Sequence, residues 1–540
     1  MQEDLDRLRS AGKRISLEAE SFLAIRAIGE ECLERLLTNP SPILGLQDVQ
    51  ACLAERAKLP EPDPVHKDHP ASSHAEHKHE GHPASAHEEE MKSGREEEKK
   101  TKSEEEKAAP QKPAEQAEGV QVSHIPTFHP IAKDFAPRIK IRDISDVSGQ
   151  SRCVGSLENF VAYFNDRFTR LSAILEQHQT NLRRVRTDQL SQTMGEEVRV
   201  IAMVTEKRIT KNGNLFIEFE DPQGQSKAIL SSRERAFEKA KTLLRDDVVA
   251  LDGRMGPNFF SVKDVTWPDL PVIRQTPDAM EDLGIVYLSD LHVGSKLFLE
   301  KNFKRFIRWL WGEEGRPDLA GKVKYIVVAG DVVDGIGVYP TQEKELSITD
   351  IFEQYAAFDK LVEALPDWVE VIVSPGNHDA VRRGEPQPIL PLELVKSDVK
   401  KIGSPAMVDI EALKHLVYHG TSMDSMIANV PGLSYTRPET AMREMLVRRH
   451  LSPVYGENPI VPERRDYMLI ADEPDVMHMG HLHKNGAMKY RGTLIINSGT
   501  FQDRTEFQVR MGHVPTPGIV PVLELKKMQL SNLNFMEEKI

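Results

Sequence analysis

The chain has 540 residues, with 84 acidic side chains against 70 basic ones and a formal charge of −14. That length allows roughly two to four folded units, and that charge argues against a protein held on nucleic acid by bulk electrostatics alone. Three cysteines, Cys32, Cys52 and Cys153, exclude a disulfide framework and a cysteine-built metal site, and they point to a reducing compartment.

No window approaches the roughly 18 uninterrupted apolar residues of a membrane span, and the opening MQEDLDRLRS is charged. A cytoplasmic location with no membrane partner is expected. Apolar residues then recur at helical spacing up to about Leu59, as at Phe22, Ile25, Ile28, Leu33 and Leu36, with Pro40 and Pro42 breaking the run. This predicts a small helical module over 1–59, better suited to recruiting another protein than to catalysis. Residues 60–122 change character to Pro, Ala, Ser, His and charge, with almost nothing to bury, and read as a disordered linker. Its stretch 61–120 holds 16 acidic and 9 basic residues, so half of the net charge belongs to a tether. His66, His69, His74, His77, His79, His82 and His87 lie there, but a mobile segment offers no preorganised geometry, and a solvated run is the preferred reading.

Residues 123–190 read as a connecting helical segment, with an amphipathic helix over Ser156–Asn181. Over 191–275 the pattern becomes short alternating strands: EVRVIAMVTEKRIT, a strand after the turn at Asn212-Gly213, SKAILS, DDVVALDGRMG and NFFSVKDVTW. A helix-compatible stretch, Ser232–Leu244, lies between the third and fourth, and the whole predicts an OB-type barrel. Phe216, Phe219, Phe259 and Phe260 could stack on a single strand or fill the barrel core, and both readings stand.

From Gly284 onward, over 280–540, apolar runs repeatedly stop at metal-competent residues. IVYLSDLHVGS brings Asp290 and His292, YIVVAGDVVDG brings Asp331 and Asp334, and VEVIVSPGNHDA brings Asn377, His378 and Asp379. HLVYHGTS adds His419, and PDVMHMGHLHKNG adds His481 and His483. Groups at the carboxyl ends of strands converge on one crevice, so five distant loops can build one site. Imidazole and carboxylate without thiolate suit Mn²⁺, Fe or Zn²⁺ better than Ca²⁺. Gly330, Gly376 and Gly480 precede the ligands, where the lack of a Cβ permits a sharp strand exit and close backbone approach. His415, His450 and His478 are better read as satisfied polar core residues.

The motifs DLH, GDVVD, GNHD, HG and GHLH, in this order, resemble those of the calcineurin-like metallophosphoesterase superfamily. Together with the runs RRHLSPVYG, INSGTFQDRTEFQ and MGHVPTPG, the order of helical module, tether, barrel and phosphoesterase resembles the small, proofreading subunits of archaeal family D DNA polymerases. The fold class so implied is multidomain α/β, with a C-terminal β-sandwich flanked by helices. The resemblance implies two divalent metal ions, Mn²⁺ foremost, with Mg²⁺, Fe²⁺ or Zn²⁺ as alternatives. It assigns one ion to Asp290, His292 and His483, the other to Asn377, His419 and His481, and a bridging role to Asp331. His378 becomes the catalytic histidine, Asp334 a group orienting a ligand histidine, and Asp379 a loop residue behind the ligands. The activity implied is 3′-to-5′ exonucleolytic hydrolysis at a single-stranded or mismatched DNA end, in a complex with a separate large catalytic polymerase subunit. No P-loop or Rossmann fingerprint is present, so this chain should not synthesise DNA alone. Arg382, Arg383, Lys484 and Lys296 are candidate phosphate contacts, each equally readable as a surface charge.

Two other functions stand beside this one. A phosphoesterase of another class, such as a phosphomonoesterase, would usually carry an Arg where Gly335 stands and a GNHE motif where this chain ends in Asp379. A scaffold subunit without catalysis would have lost ligands that this chain keeps.

Overall fold

A computed structural model describes residues 128–272 and 280–538 and, before them, a parallel pairing of Arg14–Ile15 with Ile43–Leu44. The chain divides into two units, Met1–Ala117 and Glu118–Ile540. Apart from that pairing, the helical module and the linker expected over 1–122 lie outside the described residues.

The span read as a helical connector contains two different things. Its first part gives β1 (Ile139–Ile141), which pairs antiparallel with Ala406–Ile410 far downstream, while Ala132 is fully buried with residues of the C-terminal sheets. This part therefore belongs to the C-terminal sandwich rather than to a connector. Its second part is α1 (Leu157–Glu176), started by a capping box of Ser156 and Asn159 that satisfies backbone N–H groups at the helix end. Tyr163, Arg167, Leu171 and Leu175 recur at four-residue spacing and form its buried face.

Five strands follow: β2 (Glu197–Ile209), β3 (Leu215–Asp221), β4 (Gly224–Leu230), β5 (Val248–Met255) and β6 (Phe260–Thr266). Their order is β2-β3-β4-β6-β5, and β5 pairs back onto β2, so the sheet closes into a barrel. Alternation decides what is inside. Leu215, Ile217 and Phe219 of β3 point into a core shared with Val200, Leu230, Leu251 and Phe260. Of the stretch Ser232–Leu244 only Phe237–Ala240 is helical. Phe219 and Phe260 are core residues, whereas Phe259 is exposed and meets Phe216 edge-on. Helix α1 lies on the barrel's outer face, where Leu171 and Leu175 pack on Ile201, Met203, Val248 and Ala250.

The C-terminal half runs β7 (Gly284–Leu288), α2 (Glu300–Leu310), β8 (Val323–Ala329), α3 (Ile351–Glu363), β9 (Glu370–Ser374), β10 (Ala406–Ile410), β11 (Leu413–Val417), α4 (Met423–Asn429), α5 (Pro438–Arg448), β12 (Val476–Met479), β13 (Gly486–Tyr490), β14 (Thr493–Asn497), α6 (Glu506–Met511), β15 (Ile519–Glu524) and β16 (Gln529–Asn534). One mixed sheet has the order β9-β8-β7-β15-β16, with Lys400–Lys401 added beside β9; the other has β13-β14-β12-β11-β10-β1. Ile285 and Tyr287 of the first sheet meet Val408, Leu413, Val476 and Ile496 of the second in a shared core. The alternate residues Val286 and Leu288 face Phe303, Phe306 and Phe358 of α2 and α3. On the far side, Met477 and Met479 face Met426, Met442 and Met445 of α4 and α5. The result is four layers, helix, sheet, sheet and helix. Strands β7 and β8 are buried at every position, which is why they read as unbroken apolar runs.

Three interior histidines bond neighbouring side chains, and His415 and His450 are satisfied at both nitrogens, whereas the buried Nδ1 of His478 has no hydrogen-bond partner, against the expectation of a satisfied core residue. His415 accepts from the Tyr287 hydroxyl at 2.9 Å, His478 bonds Ser498 Oγ at 3.0 Å, and His450 bonds Asp466 at 2.8 Å. Among the described residues no helix is long and apolar enough to cross a membrane.

Candidate metal centre

The loops after β7, β8, β9, β11 and β12 meet at one end of the sandwich. Asp290, His292, Asp331, His481 and His483 all have positive φ, between 52° and 67°, a conformation uncommon outside glycine. Each such turn curls the chain just past its strand and sets the side chain back toward the centre. Close approach of the loops requires glycine: a Cβ on Gly376 would lie 2.2 Å from Asp331 Oδ1, and one on Gly480 2.4 Å from Asp290 Oδ2.

Two groups of ligand atoms result. In the first, His292 Nε2 and His483 Nε2 face each other at 3.0 Å, His483 Nε2 lies 3.5 Å from Asp290 Oδ1, and His292 Nε2 lies 3.9 Å from Asp331 Oδ2. In the second, Asn377 Oδ1 is 2.9 Å from His419 Nε2 and 3.1 Å from His481 Nδ1, and His419 Nε2 is 3.3 Å from Asp331 Oδ2. Asp331 is common to both groups. Within each of three sets, Asp290 with His292 and His483, Asp290 with Asp331 and His419, and His292 with Asp331 and His378, the ligand-capable atoms lie within 4.8 Å of one another.

The second nitrogen of each imidazole is held from behind. His292 Nδ1 is 3.0 Å from Asp334 Oδ1, and Asp334 is itself fixed by Gln342 and Gln502. His419 Nδ1 donates to the Ala329 carbonyl at 2.8 Å, His481 Nε2 meets Asp424 at 3.0 Å, and His483 Nδ1 meets the Gln508 amide at 3.0 Å. Such partners fix ring orientation and leave the opposite nitrogen directed at the centre. A donor set of imidazole, carboxylate and amide oxygen, with no thiolate, fits divalent transition ions.

Burial opposes ionisation of Asp331, yet His419, His378 and His292 around it hold its carboxyl well below the usual range. Burial likewise opposes a proton on His419, but Asp331 and Asp290 push that imidazole up to about 10. Asp331 and His419 thus form a buried carboxylate–imidazole pair whose charges offset each other. Burial lowers the pKa of His378, as it does that of His483; the Nδ1 of His378 is 2.7 Å from the Asp334 carbonyl, and its ring lines the open cavity in front of the cluster. Asp379 sits behind the loop, accepting from Gly376 N at 2.8 Å and Tyr355 Oη at 3.1 Å.

Comparison with known proteins now decides the family. Residues 283–485 match the family model described as calcineurin-like phosphoesterase. The chain is 43% identical over 393 residues to the DNA polymerase II small subunit of Archaeoglobus fulgidus, covering 71% of this chain and 78% of that one. It is 40% identical to the protein of the same name from Methanocaldococcus jannaschii, covering 74% and 69%. The match to that of Methanothermobacter thermautotrophicus is 39%, covering 75% and 84%. The chain belongs to the archaeal DNA polymerase small subunits. Its C-terminal sandwich is the calcineurin-like phosphoesterase fold.

In this family member the eight motif residues Asp290, His292, Asp331, Asn377, His378, His419, His481 and His483 come together. The four basic candidates do not join them. Arg382 turns onto Glu463 at 3.3 Å and the Pro386 carbonyl at 2.9 Å, Arg383 bonds the Gly337 carbonyl at 2.9 Å, and Lys296 bonds the Lys344 carbonyl at 2.7 Å. None of these three, nor Lys484, lines the cavity. Reasoning from the motifs missed Gln508 and Asp424, which bond His483 and His481, and Gln342 and Gln502, which bond Asp334. Gln502 and Gln508 both lie in the run INSGTFQDRTEFQ, and Gln508 is also the last position of a Thr-x-x-Gln capping box that starts α6.

Proposed function

We propose that this chain hydrolyses DNA phosphodiesters from the 3′ end, as the proofreading nuclease of a polymerase whose synthetic subunit is a separate, larger chain. The observation that carries the proposal is the pair of ligand groups sharing Asp331, with His378 beside them facing an open cavity of about 460 Å³. Asp290, His292 and His483 would hold one divalent ion, Asn377, His419 and His481 the other, and Asp331 both. When bound, two such cations, Mn²⁺ foremost, would supply charge neutralisation at the transferred phosphoryl group and a water acidic enough to act as nucleophile at neutral pH.

The chain's own residues supply the rest. Asp334, Gln508, Asp424 and the Ala329 carbonyl keep the ligand imidazoles aimed, so little reorganisation is needed as charge develops. His378, anchored through Nδ1 to the Asp334 carbonyl, directs its other nitrogen at the scissile phosphate and serves the leaving 3′-oxygen or the charge on phosphorus. A phosphodiester suits this site better than a monoester. Phosphomonoesterases of the resembling kind place an Arg at the position of Gly335, where a Cβ would come 2.2 Å from the His378 carbonyl.

The barrel is of OB type on this reading, supported by its strand order, its closure and the parallel pair β4–β6. It and the phosphoesterase together make the docking body for the large subunit. The test is an assay of the full chain with Mn²⁺ on 3′-mismatched and fully paired primers, with and without that subunit. Preferential removal of the mismatched nucleotide is expected; activity on p-nitrophenyl phosphate far above that on either primer refutes the proposal.

A further inference from the structure

The cavity before the ligand cluster has a polar floor and an aromatic rim. Helix α6 divides between the two: Gln508 reaches in to His483 while its neighbour Phe507 stays 58% exposed and lines the mouth. Phe507 belongs to no apolar core cluster among the described residues, so packing does not explain it. Beyond α6, His513 also lines the cavity and stacks on Tyr435, ring centroids 4.3 Å apart and planes inclined by 29°. Tyr435 is tied to the centre through Asp424, which accepts its hydrogen bond and that of His481. Arg510, without an ion-pair partner among the described residues, lines the same cavity. A cation site requires none of these rings.

We propose that Phe507, with the Tyr435–His513 stack, is a platform for the nucleobase of the terminal nucleotide, and that it makes the site selective for unpaired ends. This rests on the nuclease reading above. Every base offers a π face whatever its sequence, so stacking on aromatic side chains is sequence-tolerant. A base still paired and stacked in a duplex cannot present that face without unpairing. Phe507 and its companions therefore read fraying rather than sequence, while the floor residues hold the phosphate.

The test uses the full chain and two measurements. In the first, an oligonucleotide carrying 2-aminopurine at its 3′ end is titrated with the inactive His378→Ala protein. Quenching of the fluorophore is expected, with loss on adding Phe507→Ala and retention with Phe507→Tyr. In the second, cleavage by wild type and by Phe507→Ala is compared on a single strand with a normal 3′ nucleotide and on one ending in an abasic nucleotide. KM should rise about tenfold or more on the first substrate, with kcat little changed and no difference on the second. Equal losses on both substrates, or quenching indifferent to Phe507, overturn the platform. So does a Phe507→Ala protein that cleaves normally but no longer binds the large subunit, which would make the rim a protein contact. If quenching depends on Phe507 while wild type cleaves neither strand, the platform stands and the nuclease reading falls.

Discussion

Gly376→Ala tests whether the site depends on how closely two loops approach. The added methyl would stand 2.2 Å from Asp331 Oδ1 and 2.5 Å from Asp331 N, short of ordinary contact, about 3.5 Å, by roughly 1.3 Å. The φ of Gly376 is not in the left-handed region, so alanine meets no backbone penalty there, and its restriction of the unfolded chain contributes roughly 0.4–1 kcal/mol of stability. Overpacking costs about 1–3 kcal/mol, so the net loss should be at most about 2.6 kcal/mol, and the protein should fold. The function should suffer far more. A carboxylate common to both ligand groups has to move by about 1 Å, and a misplacement of that size lowers rate on the order of a hundredfold. Cleavage of a 3′-mismatched primer in Mn²⁺, metal content by elemental analysis and a urea midpoint are measured on the same preparation. Cleavage within about twofold of wild type, with full metal content, would refute the argument that this contact sets the position of Asp331.

His378→Ala should lower cleavage by roughly 10²–10⁴-fold while metal content and binding of the large subunit stay as in wild type; retained cleavage sinks the role given to His378. Asp331→Ala should lose both ions, and an unchanged metal stoichiometry refutes its bridging position. Arg167→Met should destabilise the fold by about 3–5 kcal/mol in urea unfolding, because Arg167 and Asp466 are paired at 2.8 Å and both fully buried; an unchanged midpoint refutes the importance of that pair. Burial holds His415 neutral with a pKa of about 4, below the roughly 6.5 of an unfolded chain. The unfolded state therefore binds more protons between these values, so the contribution is intact above pH 6.5 and falls by roughly 3 kcal/mol as pH drops toward 4. His415→Gln should flatten the dependence of the melting temperature on pH in that window, and an unaltered slope refutes the account.

What could be read in advance follows the distance over which each signal acts. The strands of the barrel and β7, β8, β9 and β12 are local: an apolar run or alternation of four or more residues ends at a turn or a polar motif, as in β3, β7, β8 and β12. The residues gathered at the candidate centre were legible for the same reason, since each sits within a few residues of a strand end. Strand β1 escaped because Ile139–Ile141 is three residues long and gains its register only from β10, more than two hundred residues later. Arg382 escaped likewise: its partner Glu463 lies 81 positions away, and nothing near Arg382 distinguishes an internal ion pair from a phosphate contact. Asp424 is fixed by where α4 crosses His481, and Gln342 and Gln502 by where two loops cross Asp334, a matter of tertiary packing alone.

The strained loops and the buried charge bear on each other. Five non-glycine residues in left-handed conformation cost on the order of 1 kcal/mol or more apiece, and Asp290 and Asp331 are almost wholly buried. Part of the cost is offset within the loops, where Leu291, Val293, Val332 and Val333 are buried in the core, and the rest by the two sheets beneath, whose fully buried Val, Ile and Leu side chains contribute about 1.5–3 kcal/mol each. The sandwich thus acts as a rigid base that forces carboxylates together against their repulsion. Burial raises the pKa of Asp290, with Asp331 adding to the rise and His419 opposing it, so the carboxylates meet in a field that a divalent cation relieves. The acidic total of the chain is for this reason no obstacle to a phosphodiester substrate: at the only place where chemistry is proposed, the negative side chains are the means by which positive charge is held.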